Sequence, residues 1–188
     1  MSSQNKTIYE ILKAPQTVFT PALIAQLTQE TDRKKLIERI NYYVRIGQLR
    51  NLRKGIYAKD KYNKLELACS LYTPCYLSLQ YILQKSGVIF QYDSTITMVS
   101  YLSREIEIDK NTYNYHKIKG EIMINLIGIE NNGNINVATP ERAALDTLYL
   151  YPDFYFDNLN ILKKKKVFDI LPIYENKNME KRISELFK

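Results

Sequence analysis

The run DRKKLIERINYYVRI, residues 32–46, is the feature that most narrows what this chain can become. Its apolar residues recur at helical spacing, and Gly47 follows at once, the residue type favoured just past a helix C-terminus. On a wheel of about 100° per residue drawn from Leu36, Tyr43, Leu36, Ile40, Val44 and Ile37 fall between about −20° and 100°. Asn41, Lys34, Arg45, Glu38, Tyr42 and Lys35 occupy the opposite arc, about 140° to 260°, with Arg39 at its edge. One face is suited to a core. The other is cationic and rich in hydrogen-bond donors.

The neighbours of this run extend the pattern. TIYEILK (Thr7 to Lys13) is a short amphipathic helix candidate, and Thr20-Pro21 supplies a capping hydroxyl and a first-turn proline for ALIAQLTQ. Thr31 is expected to cap the third helix. After Gly47, QLRNLRKGIYAKD reads as a strand, a tight turn at Lys54-Gly55 and a returning strand ending near Ala58. Three helices followed by a hairpin is the order of a winged helix-turn-helix domain, predicted here for residues 1–62.

Charge singles out the same region. The chain carries +7 overall, but residues 1–64 hold 13 basic and 5 acidic side chains (+8), whereas residues 65–188 hold 14 and 15 (−1). A charged helix face is ordinarily solvated surface. Here three features coincide: the surplus is confined to one domain, it lies opposite an apolar stripe, and a basic hairpin with a glycine turn follows. They predict a face for double-stranded DNA made of Arg33, Lys34, Lys35, Arg39, Asn41, Tyr42 and Arg45 on the helix and Arg50, Arg53, Lys54 and Gly55 on the wing. Arg, Lys and Asn can pair with base edges or hold phosphates, and Gly55 permits a positive φ at the turn.

Residues Tyr62 to Lys64 read as a polar linker, and a second domain is expected over 65–188. LELACSLY is a helix ended by Thr73-Pro74; Ser78 is expected to cap a helix running to Ser86-Gly87. The β-branched and alternating runs STITMVS, REIEID, TYNYHKIK, EIMINLIGIE and, after Asn131-Asn132-Gly133, INVAT predict a mainly antiparallel sheet. Thr139-Pro140-Glu141 opens a helix through AALDTLYLY, and Phe154 to Lys163 and Tyr174 to Phe187 are further helix candidates. The fold class is therefore α+β.

Several chemistries find no support. Cys69, Cys75 and His116 cannot furnish a structural zinc site or a disulfide framework, so no metal is expected. No GxxxxGK[ST] or GxGxxG motif occurs, and no cofactor is expected. MSSQNKTIYE lacks a signal-like apolar run and no stretch reaches membrane-spanning length, so a cytoplasmic, non-membrane protein is expected. His116 is read as structural, Ser78 as a cap rather than a nucleophile, and Glu141 as favoured by the helix macrodipole. Arg142 and Asp146 are read as an i, i+4 surface pair, and Lys163 to Lys166 as solvated. No catalytic residue is assigned, and the chain is not expected to be an enzyme.

The three segments GQLRNLRKGIYAKD, YLSLQYILQKSGVI and ATPERAALDTLYLYP, in this order and spacing, resemble AbiEi-type antitoxins of type IV toxin-antitoxin systems. The resemblance covers about residues 15 to 152. Gly47, Leu49, Gly55 and Tyr57 match the wing pattern, and Tyr76, Leu77 and Ser78 match a Y-L-S element. Ala138, Thr139, Pro140, Glu141, Arg142, Ala143, Leu145 and Asp146 match an A-T-P-E-(K/R)-A-L-x-D helix, with Ala144 inserted. The resemblance implies an autoregulating repressor of a two-gene operon, whose C-terminal domain, carrying Tyr76, Ser78, Thr139, Pro140, Glu141, Arg142 and Asp146, counteracts a nucleotidyltransferase-like toxin without necessarily binding it. The alternative is a solitary winged-helix regulator whose neutral, tyrosine-bearing second half is a protein-interaction module.

Overall fold

The structure is a computed structural model that describes residues 3–187. Its contacts divide into two units, residues 1–71 and 72–188.

The first unit runs α1 (Ser3–Lys13), β1 (Val18–Phe19), α2 (Pro21–Thr28), α3 (Arg33–Arg45), β2 (Arg50–Arg53), β3 (Ile56–Ala58) and α4 (Lys64–Leu71). The Thr20 hydroxyl accepts from the Leu23 N–H at 3.2 Å and Pro21 fills the first turn, as predicted. For α3 the cap is Asp32 rather than Thr31: its carboxylate accepts from the amides of Lys34 and Lys35 at 3.0 and 3.1 Å. A carboxylate answers the positive end of the helix dipole, which a hydroxyl does not. The Lys35 amide bond, joined by that of Lys34, holds this carboxyl below its ordinary value.

The apolar stripe of α3 lands where the wheel places it. Leu36, Ile40 and Tyr43 are buried against Ile11, Phe19, Ile24 and Leu49, with Ile37 and Val44 at the margin. The sheet has the order β1-β3-β2, antiparallel throughout, with Val18 and Arg50 both opposite Ala58. Strand β1 went unpredicted because two residues display no period. Gly55 takes φ +79° at the β2–β3 turn, in open space.

Helix α4, expected to open the second domain, instead belongs to the first unit. Buried Glu66 accepts from the amide of Thr17 at 2.9 Å and from its hydroxyl, and Asn63 N–H donates to the same hydroxyl at 2.8 Å. Leu67 and Ala68 are buried beside it. The polar stretch at 62–64 leads into α4 within the unit, and the division falls after Leu71.

The second unit contains β4 (Cys75–Leu77), α5 (Leu79–Ser86), β5 (Ile96–Ser100), β6 (Arg104–Ile108), β7 (Asn111–Lys117), α6 (Gly120–Ile124), β8 (Ile129–Asn132), β9 (Ile135–Ala138), α7 (Pro140–Leu150), a 3-10 turn (Leu159–Ile161), α8 (Lys164–Ile170), a second 3-10 turn (Leu171–Tyr174) and α9 (Lys177–Leu186). Its sheet has the order β6-β7-β5-β4-β9-β8. The sheet is mixed rather than mainly antiparallel, because β5 pairs with β7 and β4 with β9 in parallel. β6 folds back on the outer edge of β7, which leaves β7 the place beside β5. Every residue of central β5 is buried, as expected for a strand covered on both faces.

Two further expectations are corrected. EIMINLIGIE is not one strand: Gly120–Ile124 is helix α6, and only its end enters β8. An apolar run of this length carries no period that separates a buried helix turn from a strand. Residues 154–163 form no helix beyond the turn Leu159–Ile161, because the amides of Asp157 and Asn158 donate to the distant carbonyl of Val88 at 3.1 and 3.0 Å. The lysines at 163–166 are exposed, as predicted, and Lys164 to Lys166 form the first turn of α8. Among the described residues, no helix is long and apolar enough to cross a membrane.

Candidate functional site

The predicted DNA-facing residues share one helix face and one hairpin. On α3, Lys34, Lys35, Asn41, Tyr42 and Arg45 are exposed opposite the core stripe, whereas Arg33, exposed in the first turn, lies on the stripe's own side of the helix, beside Pro21 and Ala25. β2 begins five residues after α3 ends; Arg53 and Lys54 are exposed, and Arg50 and Gly55 half-buried. Several of these cations already have partners. Arg39 Nη1 lies 2.7 Å from Glu30 Oε2 and 3.4 Å from Thr7 Oγ1, so this side chain ties α3 to the segments before it. Lys35 pairs with Asp32 at 3.5 Å in solvent, where such a contact is weak. The Arg45 guanidinium stands 5.6 Å from the Tyr42 ring centre, and that of Arg50 stands 5.5 Å from the Tyr62 ring. A donor-rich, solvent-facing surface of this kind can hold phosphate oxygens and reach acceptors on base edges.

The motif residues of the second unit gather in the interior. Arg142 and Asp146 on α7, predicted to be a surface pair, are 0% exposed. Arg142 Nε donates to Asp146 Oδ1 at 3.1 Å. The Ser78 and Tyr76 hydroxyls donate to Asp146 Oδ2 at 2.7 and 3.1 Å, and the Tyr174 hydroxyl donates to Oδ1 at 2.7 Å. The remaining guanidinium N–H groups donate to the carbonyls of Ile122 (2.7 Å), Ile127 (2.9 Å) and Asn125 (3.2 Å) and to the Tyr76 hydroxyl (2.9 Å). One side chain thus closes the end of α6 and the strap after it.

The electrostatics follow from burial. Burial, then the Asp146 charge, pushes the Tyr76 and Tyr174 hydroxyls well above their ordinary values. Burial also raises Asp146, against the pull of Arg142, Tyr174 and Ser78. Burial is the largest influence and opposes the Arg142 cation, but Asp146, Tyr174 and Tyr76 together outweigh it and the guanidinium is held above its ordinary value. With four donors on two oxygens and a permanent cation at 3.1 Å, the carboxylate is the form this geometry serves.

Ser78 stands at the N-cap position of α5, yet its hydroxyl makes no cap bond; it is turned inward to Asp146. Leu79 follows in the left-handed region at φ 59°, a strained conformation for a bulky residue that swings the chain from strand to helix. Thr139 and Pro140 do form the predicted start of α7, the Thr139 hydroxyl accepting from the Arg142 amide at 3.3 Å. Glu141 stands in the first turn of α7, as predicted, but is buried there, and its carboxylate also accepts the Lys163 amide that opens α8 at 3.2 Å. Tyr174 escaped the sequence reading because it lies 28 residues from Asp146, with no spacing signal to connect them.

His116 belongs to neither group. Its Nδ1 is 2.9 Å from the Tyr151 hydroxyl oxygen, and burial lowers its pKa against the opposing charge of Glu105. It lines a cavity of about 500 Å³. Cys69 and Cys75 are not joined in a disulfide, and among the described residues no three His, Cys, Asp or Glu side chains group as metal ligands would.

No protein-family model matches the chain, and no curated protein matches it. Among solved structures, that of the Rv2827c protein from Mycobacterium tuberculosis is similar, with a TM-score of 0.54 over 92% of this chain and 72% of that one at 11% identity. At that identity the likeness is one of α+β fold.

Proposed function

We propose that the chain is a DNA-binding transcriptional repressor of AbiEi type, in which residues 1–62 act as a winged helix-turn-helix domain and α3 enters the major groove. The observation that carries this reading is the exposed basic and amide-bearing face of α3, set opposite its buried stripe and followed directly by the Arg53-Lys54-Gly55 turn. Phosphate contacts would position the domain, and Asn41 and Arg45 would read bases. Fluorescence anisotropy with DNA from upstream of the chain's own coding region, compared with scrambled DNA, tests it. The expected result is preference for the upstream DNA, with log affinity falling by about 0.9 per phosphate contacted for each unit of log salt. Absence of binding at low salt overturns it.

The antitoxin half of the proposal rests on the three ordered sequence motifs. In this reading the second unit counteracts a nucleotidyltransferase-like toxin encoded alongside. Growth rescue on co-expression with such a neighbouring gene supports it, and lack of rescue by a protein that still binds DNA removes it.

A second reading, a solitary regulator with a protein-interaction module, is favoured by the exposed Ile124 (70%) and Leu126 (71%) beside the half-exposed Ile127. Replacing Ile124 and Leu126 with Ser distinguishes the two. Loss of repression in cells with DNA affinity retained supports the module, and unchanged repression discards it.

A further inference from the structure

The cavity beside His116 has the size and chemistry of a small-molecule site. Its volume of about 500 Å³ lies within the range of ligand pockets. Its floor is set by strand register. Thr97, Asn114 and Glu105 are cross-strand partners on β5, β7 and β6, so their side chains form one row on one face of the sheet. His116 follows two residues after Asn114 on the same face, while Tyr113 and Tyr115 are buried on the other. Gln80 and Gln84, one helical turn apart on α5, line the cavity as well.

The hydrogen bonds already made leave carboxylate acceptors open, alongside amide N–H groups of Gln84 and Asn114. Asn114 Nδ2 donates to Glu105 Oε2 at 3.1 Å, which leaves Glu105 Oε1 and the Asn114 carbonyl oxygen for a ligand. Asp93 accepts the Thr95 amide through Oδ1 at 2.8 Å and retains Oδ2. Thr97 is saturated, donating to the Ser78 carbonyl and accepting from the Tyr81 amide. Gln80 Oε1 is buried and accepts no hydrogen bond, so a donor entering beside it would offer the amide a partner it lacks. Two carboxylates and no lysine or arginine line the cavity, an arrangement that repels phosphate and carboxylate ligands. Tyr151 and Phe154 add aromatic surface, which suits a cation.

We propose that this cavity binds a small organic cation, an amine or guanidinium compound that donates to Asp93, Glu105 and the Gln80 amide. The site is independent of the DNA-binding reading and would stand if that reading failed.

Isothermal titration of the full chain with agmatine, with spermidine and with adenosine tests the assignment. Saturable one-to-one binding of agmatine or spermidine is expected at a Kd of about 1 mM or tighter, with adenosine weaker. Glu105→Gln and Asp93→Asn should each weaken the preferred cation about tenfold while leaving the thermal melting profile in place. The absence of saturable binding by either cation up to about 10 mM overturns the proposal. So does undiminished binding by both variants, or tighter binding of adenosine than of either cation.

Discussion

Charge is used in opposite ways in the two units. In the first, the cations of α3 other than Arg39 stand in solvent, where a contact such as that of Lys35 with Asp32 is weak. In the second, a single cation is withdrawn from water, and every hydrogen bond it can make is directed at a carboxylate, a hydroxyl or a backbone carbonyl. Arg142 and Asp146 have the spacing of an everyday surface pair; what differs is that α7 is buried nearly all round. A spacing rule states which side chains can meet on a helix. Whether they meet in water or in a core depends on what the rest of the chain packs over them.

Removal of the buried charge is the sharpest way to break this contrast. Arg142→Met should cost about 3–5 kcal/mol, since it strands the Asp146 carboxylate and three carbonyls. Urea unfolding would read this as a lower midpoint for the second unit. Arg142→Met combined with Asp146→Leu should recover part of the loss, because no orphaned charge remains. Equal losses in the single and double variants would mean that packing, not charge, dominates.

High pH should act on the same cluster. Folded Tyr76 and Tyr174 keep their protons beyond the point where the unfolded chain releases them, near pH 10. The folded state then binds more protons, so stability falls as pH rises above about 10, by up to about 2.7 kcal/mol per pH unit for the two groups. Below the unfolded value their contribution is unchanged. Chemical denaturation between pH 8 and 11 measures the slope, to which the raised Tyr43, Tyr81 and Tyr151 add, and Tyr174→Phe should reduce it by up to about 1.4 kcal/mol per pH unit.

Gly128 offers a milder probe. It takes φ +76°, and a Cβ there would sit 2.9 Å from Arg142 Cβ and 2.9 Å from Ile170 Cδ1. Gly128→Ala should therefore destabilise by about 1–3 kcal/mol, measured by the shift in urea midpoint.

The smallest effect on folding is expected in the first unit. Lys34→Ala and Arg45→Ala should leave the melting temperature essentially unchanged, yet weaken DNA several-fold each. Only Arg45→Ala should also alter sequence preference. A large stability loss from either would show that the exposed face is structural and collapse the contrast.

The parts of the fold that were legible in the sequence are those written in local periods and caps. The stripe of α3, the hairpin turn at Lys54-Gly55, and the Thr20 and Thr139 caps needed only neighbouring residues to declare themselves. The order of the six strands did not, because parallel pairing is set by crossovers and leaves no mark on strand composition. Nor did the inward turn of Ser78, whose partner lies 68 residues away. The basic face could be drawn from a helical wheel; the cavity could not, since it depends on which strands become neighbours.

The parallel pairing of β4 with β9 also has a consequence for the order of assembly. Leu77 meets Val137, about sixty residues further along, so the inner edge of β4 stays open until nearly all of the sheet has been synthesised. The first unit, by contrast, closes within a contiguous stretch of 71 residues through contacts of short to moderate range. On the ribosome, the basic domain is expected to reach its native form while the nascent second unit still exposes unpaired backbone. The interval between the two is when this chain is most in need of a chaperone.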